Sequence, residues 1–118
     1  MLYTTMIVKE KELKLRLNAN MSVQVEKQIG KNPVNAILGM REDEMPKLTD
    51  LLTILWGALQ PLNRGYTMNK VWDLYDEYIS DGNSMTDLMI VIMDVLKVSG
   101  FVKEEETEES DDEEEKNE

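Results

Sequence analysis

The fold of this chain is decided by the segment Pro46-Lys-Leu-Thr-Asp-Leu-Leu-Thr-Ile-Leu-Trp-Gly-Ala-Leu-Gln60. Proline is favoured at the first position of a helix, so the segment predicts a helix that begins at Pro46 and ends before Pro61. Leucines at spacings of three and four predict one buried face: Leu48, Leu51, Leu52, Leu55 and Leu59. Small and polar residues between them predict the solvent face: Asp50, Thr53, Gly57 and Gln60.

Two shorter helices are predicted before this segment. Asn20 or Ser22 can cap the first of them, because both side chains accept hydrogen bonds from backbone N–H groups. Asn32 is followed directly by proline, which predicts the start of a second helix. We expect that helix to bury Ile37 and Leu38.

Two more helices are predicted after the central segment. Thr67 caps the first, which runs to about Ser80. Ser84 and Asp87 have the spacing of a capping box, with Asp in place of the usual Glu, and so predict a last helix over about residues 85–99. This last helix is apolar on nearly every side, which predicts a position at the centre of the core or against another chain.

The first 17 residues alternate as a β-hairpin does. Leu13, Leu15 and Leu17 are separated by cations, which places the leucines on one face of a strand. A turn at Glu10-Lys11 would pair this strand with Met6-Ile-Val8. The sequence therefore predicts a mostly α domain over residues 1–102, in which a small N-terminal hairpin precedes four to five short helices.

The charge is concentrated at one end of the chain. The 118 residues have a formal net charge of -11, and residues 103–118 alone hold eleven acids and two lysines, a net charge of -9. A segment with this composition has nothing apolar to bury, so we expect a disordered acidic tail. Residues 41–44 are expected to form an exposed connector. The acidic balance argues against nucleic acid or an anionic membrane as partner.

The composition also argues against most kinds of enzyme mechanism. The chain contains no cysteine and no histidine, so thiol nucleophiles, thiolate metal sites and the commonest general base are missing. An EF-hand loop with Gly82 at its sixth position would put Ile79 at its third, where an oxygen ligand is needed. We therefore expect no catalytic residue, no cofactor and no metal site, and a protein that is not an enzyme. The start of the chain also lacks the pattern of a signal peptide, and no apolar run is long enough to cross a bilayer.

Methionine and aromatic residues offer a candidate partner-binding surface. Nine methionines are many for this length, and methionine adapts its shape to varied apolar partners. The same side chains can instead fill a small core, and the sequence leaves both options open. The candidate surface consists of residues from the last two helices: Trp72, Tyr75, Leu88, Met89, Ile92, Met93 and Leu96.

The order of these segments resembles a known family. The stretch Glu26-Lys-Gln-Ile-Gly-Lys-Asn-Pro-Val-Asn-Ala-Ile37 follows the leucine strand and precedes the leucine-rich helix Lys47–Leu59. In this order, over about residues 10–102, the chain is similar to the tail assembly chaperones of long-tailed, siphovirus-type phages and of Gram-positive prophages. The acidic end of the chain is also in keeping with that resemblance.

The resemblance implies a function and partners. Such chaperones bind the long, aggregation-prone tape measure protein, keep it soluble and help to recruit tail tube protein around it. They act in the bacterial host cytoplasm and are not part of the mature virion. A homo-oligomer is a further option that the apolar last helix leaves open.

Two other functions are compatible with the residues themselves. An acidic DNA mimic, or anti-repressor, uses clustered carboxylates to occupy a basic nucleic-acid-binding site. A small helical adaptor would use its apolar helix only to dimerise. Deletion of residues 103–118 separates the mimic from the chaperone, because only the mimic would lose its partner.

Overall fold

A computed structural model describes residues 3–39 and 44–102 of the chain. The predicted fold class is confirmed: an N-terminal hairpin precedes five helices. The expected connector at residues 41–44, apart from its exposed Glu44, and the expected acidic tail at residues 103–118 lie outside the described residues. In order, the elements are β1 Thr4–Val8, β2 Lys11–Leu15, α1 Ala19–Ile29, α2 Pro33–Leu38, α3 Leu48–Leu59, α4 Met68–Ser80 and α5 Met85–Val98.

The hairpin pairs β1 and β2 in antiparallel register, with Met6 opposite Leu13. Its tight turn is Lys9-Glu10, one residue earlier than predicted, and both residues have positive φ, 53° and 68°. Alternation sends four side chains into the core, as expected for a half-buried sheet: Met6, Val8, Leu13 and Leu15.

Helices α1, α2, α4 and α5 begin where a side chain accepts a hydrogen bond from one of their first N–H groups, whereas α3 has no side-chain cap. The Asn18 side chain accepts a hydrogen bond from the Met21 N–H at 2.9 Å and caps α1, so the predicted caps Asn20 and Ser22 lie inside the helix. At α2 the predicted cap is confirmed, because the Asn32 side chain accepts from the Val34 N–H at 2.7 Å. Thr67 caps α4, and Ser84 with Asp87 forms the predicted capping box of α5.

Helix α3 lies at the centre and packs against the four other helices and β2. Its predicted solvent face is therefore largely wrong: Asp50, Thr53 and Gly57 are buried. Gly57 faces α1, where a β-carbon would lie 2.5 Å from Val25 Cγ2. The predicted buried face is also incomplete, since Leu48 remains 37% exposed.

The end of β2 is tied to two helices. The Arg16 N–H donates to the Ala58 carbonyl at the end of α3 at 3.0 Å, and the Leu17 N–H donates to Ser99 Oγ just after α5 at 2.8 Å. These bonds close the N-terminal hairpin onto the helical core. In α2, Ile37 is buried as predicted, whereas Leu38 is half exposed because the short helix turns only one side to the core.

Candidate docking groove between two helices

The predicted partner-binding residues of α5 fall into two groups that differ in burial. Leu88, Ile92 and Leu96 are no more than 1% exposed and belong to the core cluster. These three side chains are therefore not available at the surface of the folded chain, and we remove them from the candidate surface. The reason is that α5 packs against α3, α2 and β1 and uses this stripe to do so.

Met89 and Met93 occupy an intermediate position. Both side chains are partly buried and pack against the core, so they supply shape-adaptable packing at its edge. The outermost apolar residue of α5 is Ile90, which is 55% exposed. It lies on the side of the helix opposite the buried residues Leu88, Ile92 and Leu96. No other apolar side chain of α5 is as exposed.

The other predicted residues, Trp72 and Tyr75, lie together in an open groove between α3 and α4. The groove has a volume of about 490 Å³. Its lining comes from both helices: Leu48, Thr49, Leu52, Trp72, Tyr75 and Asp76. The first half of α3 therefore faces the middle of α4.

The apolar stripe on α4 extends beyond the groove. Trp72, Tyr75 and Ile79 are spaced by three and four residues and therefore share one side of the helix. Trp72 is 51% exposed and Ile79 is 39% exposed, while Val71, Leu74 and Tyr78 on the adjoining side are buried. The stripe is thus wider than the core can cover, and its outer edge remains at the surface.

Leu48 and Leu52 were missed as site residues by sequence reasoning. Both belong to the leucine pattern of α3, and the pattern alone does not tell which leucine lacks a neighbour. A usable signal was the width of the apolar side of α4. Six apolar or aromatic residues lie there at helical spacings, more than one face of a helix in a small domain can bury: Val71, Trp72, Leu74, Tyr75, Tyr78 and Ile79.

The polar groups near the groove are few and sit at its rim. Thr49 and Asp76 are exposed residues at its edge. The groove therefore has the composition of a docking surface, an apolar floor with a sparse polar edge.

Tyr78 lies on the buried side of α4. Burial raises the pKa of its phenol above the usual value of 10.0, and the nearby negative charge of Asp87 raises this pKa further.

Within residues 3–39 and 44–102, no group of three or more acidic side chains is arranged to hold a metal ion. In the same part of the chain, no helix is both long enough and apolar enough to span a membrane.

The described residues form a small α-helical domain with an N-terminal hairpin and an apolar groove between α3 and α4. The chain belongs to DUF6096, a family of unknown function, and the match covers residues 3–118. No curated protein and no solved structure shows a significant match to it.

Proposed function

We propose that this protein is a tail assembly chaperone of a long-tailed phage or prophage, which binds the tape measure protein and helps to assemble the tail tube. The resemblance of residues 10–102 supports this proposal. The observation that carries it is the exposed apolar groove between α3 and α4, because a chaperone for apolar helical segments needs such a surface. In this proposal the chain acts in the bacterial host cytoplasm, and it acts by binding and not by catalysis.

The groove suits one occupant, an amphipathic helix of the tape measure protein. Such a helix would present apolar side chains at spacings of three and four residues, matching the spacing of Trp72, Tyr75 and Ile79. Leu48 and Leu52 would form the opposite wall. Large flat aromatic side chains such as Trp72 often supply much of the energy of a docking surface.

The charge at the rim of the groove predicts a preference for the charges that the occupant carries. Asp76 places a carboxylate at the edge of the apolar floor. A client helix with Lys or Arg beside its apolar stripe would therefore bind better than one with Glu there.

The first test is co-expression with the tape measure protein encoded in the same gene cluster, measured as client that stays soluble and co-purifies. Trp72→Glu should abolish most of this recovery, because a charge would be forced into the apolar contact. If Trp72 is a main anchor, its loss costs about 2 kcal/mol, roughly a 30-fold increase in Kd. The matched control is Ile90→Glu, since Ile90 on α5 is as exposed as Trp72, 55% against 51%.

Each outcome of this test decides between functions. Recovery lost with Trp72→Glu and kept with Ile90→Glu, while both variants retain helical circular dichroism, supports the chaperone and its groove. Equal recovery of soluble client with both variants would mean that the client does not bind in the groove. A client that stays insoluble beside the folded wild-type chain would contradict the proposal and favour the acidic mimic or the adaptor.

A further inference from the structure

Strand β1 directs one row of backbone groups at β2 and another row away from it. A two-residue turn joins the strands, so the residues that flank the turn, Val8 and Lys11, exchange hydrogen bonds. In an antiparallel pair the direction of these groups alternates from one residue to the next. The N–H and C=O groups of Thr5 and Ile7 therefore point away from the hairpin.

The corresponding edge of β2 is covered by the end of α3 and the loop that follows it. The Lys14 carbonyl accepts a hydrogen bond from Asn63 Nδ2 at 2.7 Å. The Arg16 N–H, just beyond β2, donates to the Ala58 carbonyl at 3.0 Å. This edge of the hairpin is therefore joined to the helical core.

The edge of β1 has no such cover. Among the described residues, none forms a hydrogen bond with the outward backbone groups of Thr5 or Ile7. Backbone groups that are buried in a folded protein are nearly always paired. Both residues are exposed, and Ile7 is 58% exposed. Their outward backbone groups therefore face solvent, where another strand can reach them.

The sequence of β1 lacks the features that usually protect an open edge. Proteins keep such strands apart with charged residues, proline or a β-bulge. Thr4–Val8 reads Thr-Thr-Met-Ile-Val, without charge or proline, and it pairs with β2 without a bulge. All but one of these residues are β-branched, which favours an extended strand. An added strand would therefore meet no charge on β1 itself.

We propose that the added strand is β1 of a second copy of the chain, so that two hairpins form one four-stranded antiparallel sheet. Thr5 of each copy then lies opposite Ile7 of the other, with the two Met6 residues at the centre. Each Thr5–Ile7 pair exchanges two hydrogen bonds, which satisfies all the outward backbone groups of these residues.

A second copy fits this edge for two reasons. In the stated register, residues of the same parity lie opposite each other. The buried side chains of both hairpins therefore stay on one face of the sheet and the exposed side chains stay on the other. The side chains that meet on the exposed face, Thr5 and Ile7, are uncharged and β-branched, and such cross-strand pairs stabilise a sheet.

The dimer is expected to be weak. Two strands of this length bury less than the roughly 1,200 Å² of a stable interface. The net charge of -11 on each copy also opposes association. We therefore expect a Kd of about 0.1–1 mM. Added salt should strengthen the dimer, because it screens the repulsion between the copies.

Sedimentation equilibrium of the full chain, at concentrations up to about 1 mM, tests the role of the backbone. Thr5→Pro removes the outward N–H of this residue and no hydrogen bond within the hairpin. Each dimer loses two hydrogen bonds, so its Kd should rise at least about tenfold. Thr5→Val is the matched control, because it keeps both the N–H and the β-branched shape, and it should dimerise as the wild type does.

A second pair of variants tests the side chains and leaves the backbone donors in place. Ile7→Lys puts a charge on the open edge and should weaken the dimer. The hairpin should tolerate this change, because Ile7 is exposed and lies opposite Glu12. Val23→Lys adds the same charge on α1 at a comparably exposed site, 50% against 58%, and should preserve the dimer.

The outcomes separate this interface from others. A dimer lost in Thr5→Pro and Ile7→Lys but kept in Thr5→Val and Val23→Lys, with helical circular dichroism retained in all four, supports the pairing. If Thr5→Pro does not fold, the two lysine variants decide. A wild-type chain that stays monomeric at about 1 mM overturns the proposal. So does a dimer that persists in Ile7→Lys and is lost in Trp72→Glu, because its interface would then be the groove between α3 and α4.

Discussion

At the scale of single residues, Gly57 decides how closely two helices approach. A β-carbon there would lie 2.5 Å from Val25 Cγ2 and 3.0 Å from Leu17 Cδ2. We predict that Gly57→Ala lowers the free energy of unfolding by about 1–3 kcal/mol, although alanine favours a helix by about 1 kcal/mol over glycine. Chemical denaturation measures the change.

The cause can be checked with a double-mutant cycle. In a Val25→Ala background the nearest obstructing atom is gone, so Gly57→Ala should cost much less there. An equal cost in both backgrounds would mean that crowding against Val25 is not the reason. The sequence could not predict this contact, because a glycine on a helix says nothing about whether solvent or another helix faces it.

At the scale of elements, the hairpin turn is held in a conformation that its residues disfavour. Lys9 and Glu10 both have positive φ, and the Lys9 N–H donates to Asp81 Oδ2 at 2.9 Å, which helps to hold the turn. Asn-Gly suits a two-residue turn of this kind. Lys9→Asn with Glu10→Gly should therefore raise the free energy of unfolding by about 1 kcal/mol, while the backbone bond to Asp81 is kept.

Lys9→Ala with Glu10→Ala is the matched control for the turn, measured by the same denaturation. It removes the same two charges but keeps a β-carbon at both positions, so it should give no gain. A gain equal to that of Asn-Gly would trace the effect to charge and not to backbone strain.

The elements themselves were largely predictable, because their signals are local. The caps at Asn32, Thr67 and Ser84 follow from side chains that reach N–H groups two or three residues away. The surroundings of α3 were not predictable, since the burial of its polar side at Asp50, Thr53 and Gly57 depends on which elements fold over it. The pattern of leucines identifies the most apolar face of that helix. It does not show how far burial extends around the helix.

At the scale of the whole molecule, the division between core and surface was the least predictable property. Leu88 and Trp72 are both large and apolar, and both were assigned to one partner surface. The first lies in the core and the second is half exposed. Because the core of a small domain has room at its centre for one helix, α3 takes that place and the outer edge of α4 is left uncovered.

Global stability should also depend on pH through Tyr78. The folded chain raises the pKa of this phenol above 10.0, chiefly by burial and further by the charge of Asp87. The folded state therefore keeps the proton at a pH where the unfolded state releases it. The stabilisation that this provides is complete below the unfolded pKa and is lost as pH rises through about 10 towards the folded pKa, with a slope of at most about 1.4 kcal/mol per pH unit.

Urea unfolding from about pH 9 to pH 11.5 tests this dependence, because the window brackets the ordinary pKa of tyrosine near 10. Tyr78→Phe should flatten the decline of the unfolding free energy above pH 10, whatever its effect at neutral pH. Tyr75→Phe is the matched control, since Tyr75 lies on the same helix but is only partly buried, and it should leave the wild-type slope in place. The same steep decline in Tyr78→Phe would assign alkaline unfolding to general charge repulsion in an already acidic chain instead of to this one buried phenol.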